Sequence, residues 1–156
     1  AAPLAVPAGS ATATFLPEGT AYTPAAPLTV ASFQFEIPAD TASYDVTSGC
    51  TVPFDMQHVF SIFPHMHNYG RSVTISTAAT DGGPWAQLFE HGWTPGIQQI
   101  YPLATSIDAG TQLQIDCNYA NSTDVPVPAT QTAEGEMCLA VLYYWPAQSP
   151  AYACGF

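Results

Sequence analysis

Fifteen prolines and 11 glycines punctuate the 156-residue chain every few residues, and this spacing leaves helix nearly absent from the pattern. Proline removes a helical hydrogen bond and clashes with the preceding turn. Between the breakers lie short runs rich in Val, Ile, Phe, Tyr and Thr: Ser32–Ile37, Val59–Phe63, Arg71–Thr77, Leu113–Asn118 and Met137–Trp145. Their lengths and β-branched or aromatic content suit strands. In Ser32–Ile37, Phe33, Phe35 and Ile37 share one face. In Gln112–Cys117, Leu113, Ile115 and Cys117 face one way, with Gln112, Gln114 and Asp116 on the other. The chain is therefore expected to be all-β, an antiparallel jelly-roll β-sandwich. Met137–Trp145, the longest apolar run, reads as a central strand buried on both faces.

Residues 1–14 read as a flexible tail or the lead-in to a first strand, and residues 15–156 as the single domain. Pro24, Pro27 and Asp81–Gly82–Gly83–Pro84 mark turns. Asn121–Gly135 reads as a long loop, and its sequon Asn121–Ser122–Thr123 is not expected to be used.

Composition narrows the functions open to such a fold. The chain is 47% hydrophobic, enough for a core, but only 8% charged. Arg71 is its one Lys or Arg against 12 acids, for a formal net charge of −11. No phosphate-binding groove or basic patch can be built from one arginine, so nucleic acid is excluded as a partner. Metal ions and cationic partners suit the surface better. The absence of an 18-residue apolar run excludes a membrane-spanning helix. A chain beginning at Ala1, with no basic leader, is expected to be a mature secreted protein or a domain cut from a longer one.

The four cysteines, Cys50, Cys117, Cys138 and Cys154, lie far apart, without the C-x-x-C pairs of a zinc knuckle. Two disulfides in an extracytoplasmic, oxidising compartment (periplasmic or secreted) is the simpler reading. All three pairings remain open on this basis.

The sharpest local feature is Phe63–Pro64–His65–Met66–His67–Asn68–Tyr69–Gly70. A spacing of two along a strand puts His65 and His67 on one face, where they can converge on an ion. Met66 then points into the core. His58, an odd number of residues away, falls on the opposite face as a structural histidine. His91 is expected on a solvated loop from which it could approach the site. No local carboxylate completes a facial triad, and disulfide-bonded cysteines offer no thiolate. Met137 is open to two readings, ordinary core or a thioether ligand. Two imidazoles and a thioether form a soft, uncharged set that suits Cu(I) and accommodates Cu(II).

The assembled motifs resemble the second, catalytic domain of the copper type II, ascorbate-dependent monooxygenases. They run from His58–Val59–Phe60 through His65–Met66–His67 to Gly70, then Cys117–Asn118–Tyr119–Ala120–Asn121, Gly135–Glu136–Met137–Cys138 and Tyr143–Tyr144. The resemblance implies a jelly-roll sandwich in which His65, His67 and Met137 bind one copper ion, the centre of oxygen activation and substrate hydroxylation. It further implies that Cys117 pairs with Cys138 and Cys50 with Cys154.

Departures from the family pattern accompany the match. Complete family enzymes carry a preceding domain that binds a second copper through three histidines, whereas this chain has four histidines in all. Peptide-amidating members carry arginine where Phe63 stands and tyrosine where Val141 stands. Phe63 and Val141 therefore imply a less polar surround and argue against a C-terminal glycine peptide as substrate.

The leading expectation is a mononuclear copper domain that hydroxylates a small molecule, served by an external electron donor or a second copper domain. No separate catalytic side chain emerges. The alternative is a non-catalytic copper protein for storage, delivery or sensing.

Overall fold

The computed structural model describes residues 12–155, which form eleven strands and no helix. In chain order these are β1 (Ala26–Ser32), β2 (Glu36–Ile37), β3 (Thr41–Thr51), β4 (Met56–His65), β5 (Gly70–Ala78) and β6 (Ala86–Gly92). There follow β7 (Tyr101–Ile107), β8 (Gln112–Asn121), β9 (Val127–Pro128), β10 (Cys138–Trp145) and β11 (Tyr152–Gly155). Of the tail expected over 1–14, residues 1–11 lie outside the described residues, and Thr12, Ala13 and Thr14 are exposed and belong to no strand.

Two sheets face each other, one ordered β11-β1-β10-β4-β7 and the other β3-β8-β5-β6, with β2 and β9 forming a small extra pair. Eight strands are seven residues or longer. Numbered among themselves, they alternate between the sheets as first, eighth, third and sixth against second, seventh, fourth and fifth. That is jelly-roll order. All pairings between the long strands are antiparallel, and β11 joins β1 in parallel.

Sequence alternation accounts for the sandwich most plainly in β8. Leu113, Ile115, Cys117 and Tyr119 are buried, and the intervening residues are not. From the other sheet, Leu28 and Val30 of β1 and Leu142 and Tyr144 of β10 join the same core. Two disulfides staple one sheet to the other: Cys117 on β8 to Cys138 on β10, and Cys50 on β3 to Cys154 on β11. These are the pairs that the family resemblance implied.

Several expectations are corrected. β10 is buried on one face only: Leu139, Val141 and Tyr143 are half-buried and Trp145 is exposed. An apolar run reports affinity for apolar surroundings and does not show which surface supplies them. The alternation at Ser32–Ile37 spans the end of β1 and the short β2, because the chain leaves the sheet between them. Pro27 lies in β1 and marks no turn. It precedes the Leu28–Ala31 stretch that pairs with β11, so no hydrogen bond to that neighbour requires its missing N–H. The expected loop Asn121–Gly135 contains β9.

Asn121 is fully buried, its side-chain amide donating to the carbonyls of Pro38 and Val125 while its oxygen accepts from Thr123. The sequon asparagine is thus part of the core.

Candidate metal centre

His65 is the last residue of β4, and His67 lies beyond the strand end in the turn to β5. The two histidines therefore do not share a strand face as the spacing predicted. Their rings nonetheless stand 5.0 Å apart at 90°. Met66 between them is fully buried, as expected. Met137 is half-buried and sits one residue before β10. The β4–β10 pairing ends at Leu139 and His65, so His67 and Met137 each lie two residues beyond that last pair.

Hydrogen bonds fix the orientation of both imidazoles. Nδ1 of His67 donates to the Gly135 carbonyl at 2.9 Å. Nδ1 of His65 lies 2.8 Å from Oε1 of Gln98, whose Nε2 donates to the Met66 carbonyl at 3.2 Å. The amide oxygen of Gln98 thus faces His65 as an acceptor. With Nδ1 committed on each ring, Nε2 is the nitrogen whose lone pair remains for a metal. Burial is the main force lowering the His65 pKa, with His67 adding to it against opposing contributions from Gln98 and Glu136. The neutral, ligating form is favoured.

Glu136 ties the two arms together. It is fully buried, and one carboxylate oxygen accepts from the backbone N–H of His67 at 2.8 Å and of Met137 at 3.3 Å. Its other oxygen accepts from the Tyr69 N–H at 2.5 Å. Charge-assisted bonds of this kind are about twice as strong as neutral ones.

Met137 is also held from β8. Its carbonyl accepts from the Tyr119 hydroxyl at 2.7 Å, and its neighbour Cys138 is bonded to Cys117. Burial, reinforced by the Glu136 charge, pushes the Tyr119 pKa far up and keeps this donor protonated. On the far side, the Trp93 indole donates to the His67 carbonyl at 2.8 Å. Gly70 makes that approach possible, since a β-carbon there would come within 2.7 Å of the Trp93 ring. At Gly135 a β-carbon would meet the Pro128 carbonyl at 2.5 Å.

The other candidates are distributed around this centre. The Phe63 ring lies 6.0 Å from His65, and Val141 pairs with Phe63 across the sheet. His91 is corrected from a loop to strand β6, where it is exposed and its ring packs 4.6 Å from that of Tyr101. His58 is corrected from the opposite face: the register shift at Tyr143/Tyr144 against β4 reverses the simple alternation, so His58 lies exposed on the same outer face as His65, stacked on Trp145 at 3.8 Å.

The roles of Glu136, Gln98, Trp93 and Tyr119 were not anticipated from sequence. Glu136 and Tyr119 fell within the motifs that carried the family resemblance, without an assigned part. Gln98 and Trp93 had no periodic or motif signal.

The sequence profile of the copper type II ascorbate-dependent monooxygenase, C-terminal domain, matches residues 26–155. The chain belongs to this family. The matched span contains both histidines, Met137, Glu136 and both disulfides. No curated protein matches the chain. Among solved structures, "Crystal structure of PirA" aligns over 82% of this chain and 98% of that one, at 13% identity and a TM-score of 0.29. "Structure of infectious bursal disease virus Gx strain" aligns over 81% of this chain and 37% of that one, at 8% identity and a TM-score of 0.30. Neither likeness bears on function.

The family is copper-dependent, and the donor set here fits a soft ion. All four cysteines are in disulfides. Among the described residues, no three His, Cys, Asp or Glu side chains cluster as a metal-binding group. An ion at the His65–His67 pair would draw its third protein ligand from another donor type. Met137, whose backbone amide shares the Glu136 oxygen with that of His67, carries a neutral thioether, a donor type suited to copper and poorly suited to zinc.

Proposed function

We propose that this domain binds one copper ion through His65, His67 and Met137 and forms the hydroxylating half of a monooxygenase acting on a small molecule. The observation that carries this reading is the shared Glu136 oxygen. It holds the amides of His67 and Met137 together while both imidazoles have Nδ1 engaged elsewhere.

Copper held by His65, His67 and Met137 would supply the redox chemistry for oxygen activation and insertion of one oxygen atom into a substrate C–H bond. Reduction of the second oxygen atom to water consumes two electrons and two protons, so the domain requires an external electron donor or a second copper domain. The protein's part is orientation. Gln98 and Gly135 aim the imidazoles, Glu136 and Tyr119 hold the Met137 backbone, and burial shifts His65 toward its neutral form.

The paired disulfides suit an extracytoplasmic setting, periplasmic or secreted. No helix among the described residues is long and apolar enough to cross a membrane. A single Arg or Lys in the whole chain leaves no basis for nucleic-acid binding.

The test is anaerobic Cu(I) titration of the full chain with X-ray absorption at the copper edge. One tightly bound ion with one sulfur and two imidazole scatterers is expected. Met137→Ala should remove the sulfur signal, and His65→Ala should weaken binding by a hundredfold or more, beyond the roughly 10–100-fold typical of residues that only support ligands. Unchanged affinity in both variants overturns the assignment. Tight copper with no hydroxylation under any reducing system would instead make the domain a storage, delivery or sensing module.

A further inference from the structure

None of the five strands in the β11-β1-β10-β4-β7 sheet contains Asp, Glu, Lys or Arg, although the chain has 12 acids. The inner face of this sheet is core. Its outer face carries no Asp, Glu, Lys or Arg in its strands, is rich in apolar side chains and is open to solvent. Phe60 is 43% exposed and Trp145 41% exposed, beside half-buried Leu139, Val141 and Tyr143.

These residues form a stripe running away from the candidate metal centre. Leu139 pairs with His65, Val141 with Phe63, and Trp145 with His58. The Phe60 and Tyr143 rings lie 6.3 Å apart midway along it. Register shifts flank β4 on both sides at this end, between Tyr143 and Tyr144 on β10 and on either side of Val59 against β7. Such bulges re-aim side chains. Here they accompany an open groove of ≈ 410 Å³ between Phe60, His58 and Trp145 on one side and Leu103–Ser106 on the other.

We propose that this groove receives the distal apolar end of an uncharged, elongated small molecule whose other end lies at His65. As a substrate assignment this rests on the copper reading of His65, His67 and Met137; as a binding site it does not. The volume falls in the usual small-ligand range. No acid, lysine or arginine lines the groove, and the stacked His58 and Trp145 rings offer a flat aromatic wall. An anionic ligand would find no lysine or arginine in the groove, because Arg71 belongs to the opposite sheet and donates to the Gly70 carbonyl. Length follows from the strand: Leu139 to Trp145 spans about 20 Å at the usual rise per residue.

The test uses the copper-free full chain and a probe series from phenylmethanol to 8-phenyl-1-octanol, with 8-phenyloctanoate as the charged control. Binding is followed by tryptophan fluorescence and by NMR signals of His58. Affinity is expected to rise about two- to fourfold per methylene. The carboxylate should bind at least tenfold more weakly than the alcohol. Phe60→Ser and Trp145→Ser should each weaken the longest alcohol about tenfold while leaving copper uptake unchanged.

Equal binding of alcohol and carboxylate, or affinity independent of chain length, overturns the proposal. His58 signals that shift with protein concentration alone also overturn it, by making the face a contact between copies of the chain. Because the titration contains no metal, failure of the copper assignment would leave these binding results standing. Failure of the groove would leave the copper stoichiometry standing.

Discussion

The four-stranded sheet places Asp45, Arg71, Glu90 and Asp116 in its strands, whereas the five-stranded sheet has no charged residue in any strand. Both contribute an apolar inner face to one core, so the difference lies in what their outer faces meet. Asp116 accepts from Thr47 and Gln114, and Asp45 from Asn118, as a solvated polar surface requires. The other sheet presents Phe60, Val141, Tyr143 and Trp145. A sandwich needs only its inner faces to be apolar, so an uncharged outer face calls for an explanation in binding. The candidate ligands stand at one end of that sheet, and β8 of the charged sheet steadies Met137. One layer offers the surface at which chemistry is proposed, and the other holds it in place.

Cutting the links between the sheets gives the largest expected effects. Cys50 and Cys154 are 104 residues apart and Cys117 and Cys138 only 21. Chain entropy therefore predicts a loss of about 5 kcal/mol for the Cys50→Ala/Cys154→Ala double variant and about 3 kcal/mol for Cys117→Ala/Cys138→Ala. Copper affinity should rank the other way, because only Cys138 adjoins Met137. Urea unfolding paired with Cu(I) titration checks both orders. Equal copper loss in the two variants would show that β8 has no special hold on Met137.

Within β10 the two faces can be set against each other. Leu142 is fully buried and Val141 half-buried on the outer side. Leu142→Ala should cost about 2–5 kcal/mol through the lost side chain and the cavity left behind. Val141→Ala should cost about 1 kcal/mol or less in urea unfolding and act mainly on binding of the phenylalkanol probes. A large stability loss at Val141 would mean that the outer face is packed after all.

The same two faces explain how much was legible in the sequence. β8 alternates because one side meets core and the other meets water, and Leu113, Ile115 and Cys117 were assigned to one face correctly. β10 has an apolar outer side, so its alternation disappears and both faces looked buried. β3 was missed altogether: it lies at a sheet edge, and Val46 is its one buried residue. His65 and His67 were visible from their spacing, and Met137 stood out once the surrounding motifs had been recognised. Glu136, Gln98 and Trp93 reach their partners across 69, 32–33 and 26 residues respectively, separations over which local periodicity carries no information. A buried glutamate is also the reverse of what residue type leads one to expect.

Glu136 provides the smallest perturbation that tests how the two arms are joined. Glu136→Gln keeps the shape but replaces one of two acceptor oxygens with an NH2 group. If that group takes the Oε2 position, it faces the N–H donors of His67 and Met137; if it takes the other, it faces the N–H of Tyr69. One side must lose its acceptor, at a cost of about 1–3 kcal/mol for the buried groups left unsatisfied. Cu(I) affinity should fall about 10–100-fold, as for other residues that orient ligands. X-ray absorption then separates a positioning role from a merely structural one. If Glu136 sets where Met137 points, the sulfur contribution should become longer or more disordered while the imidazole contribution persists. A folded variant with wild-type affinity and an unchanged sulfur signal would show that the Cys117–Cys138 disulfide and Tyr119 hold Met137 without it.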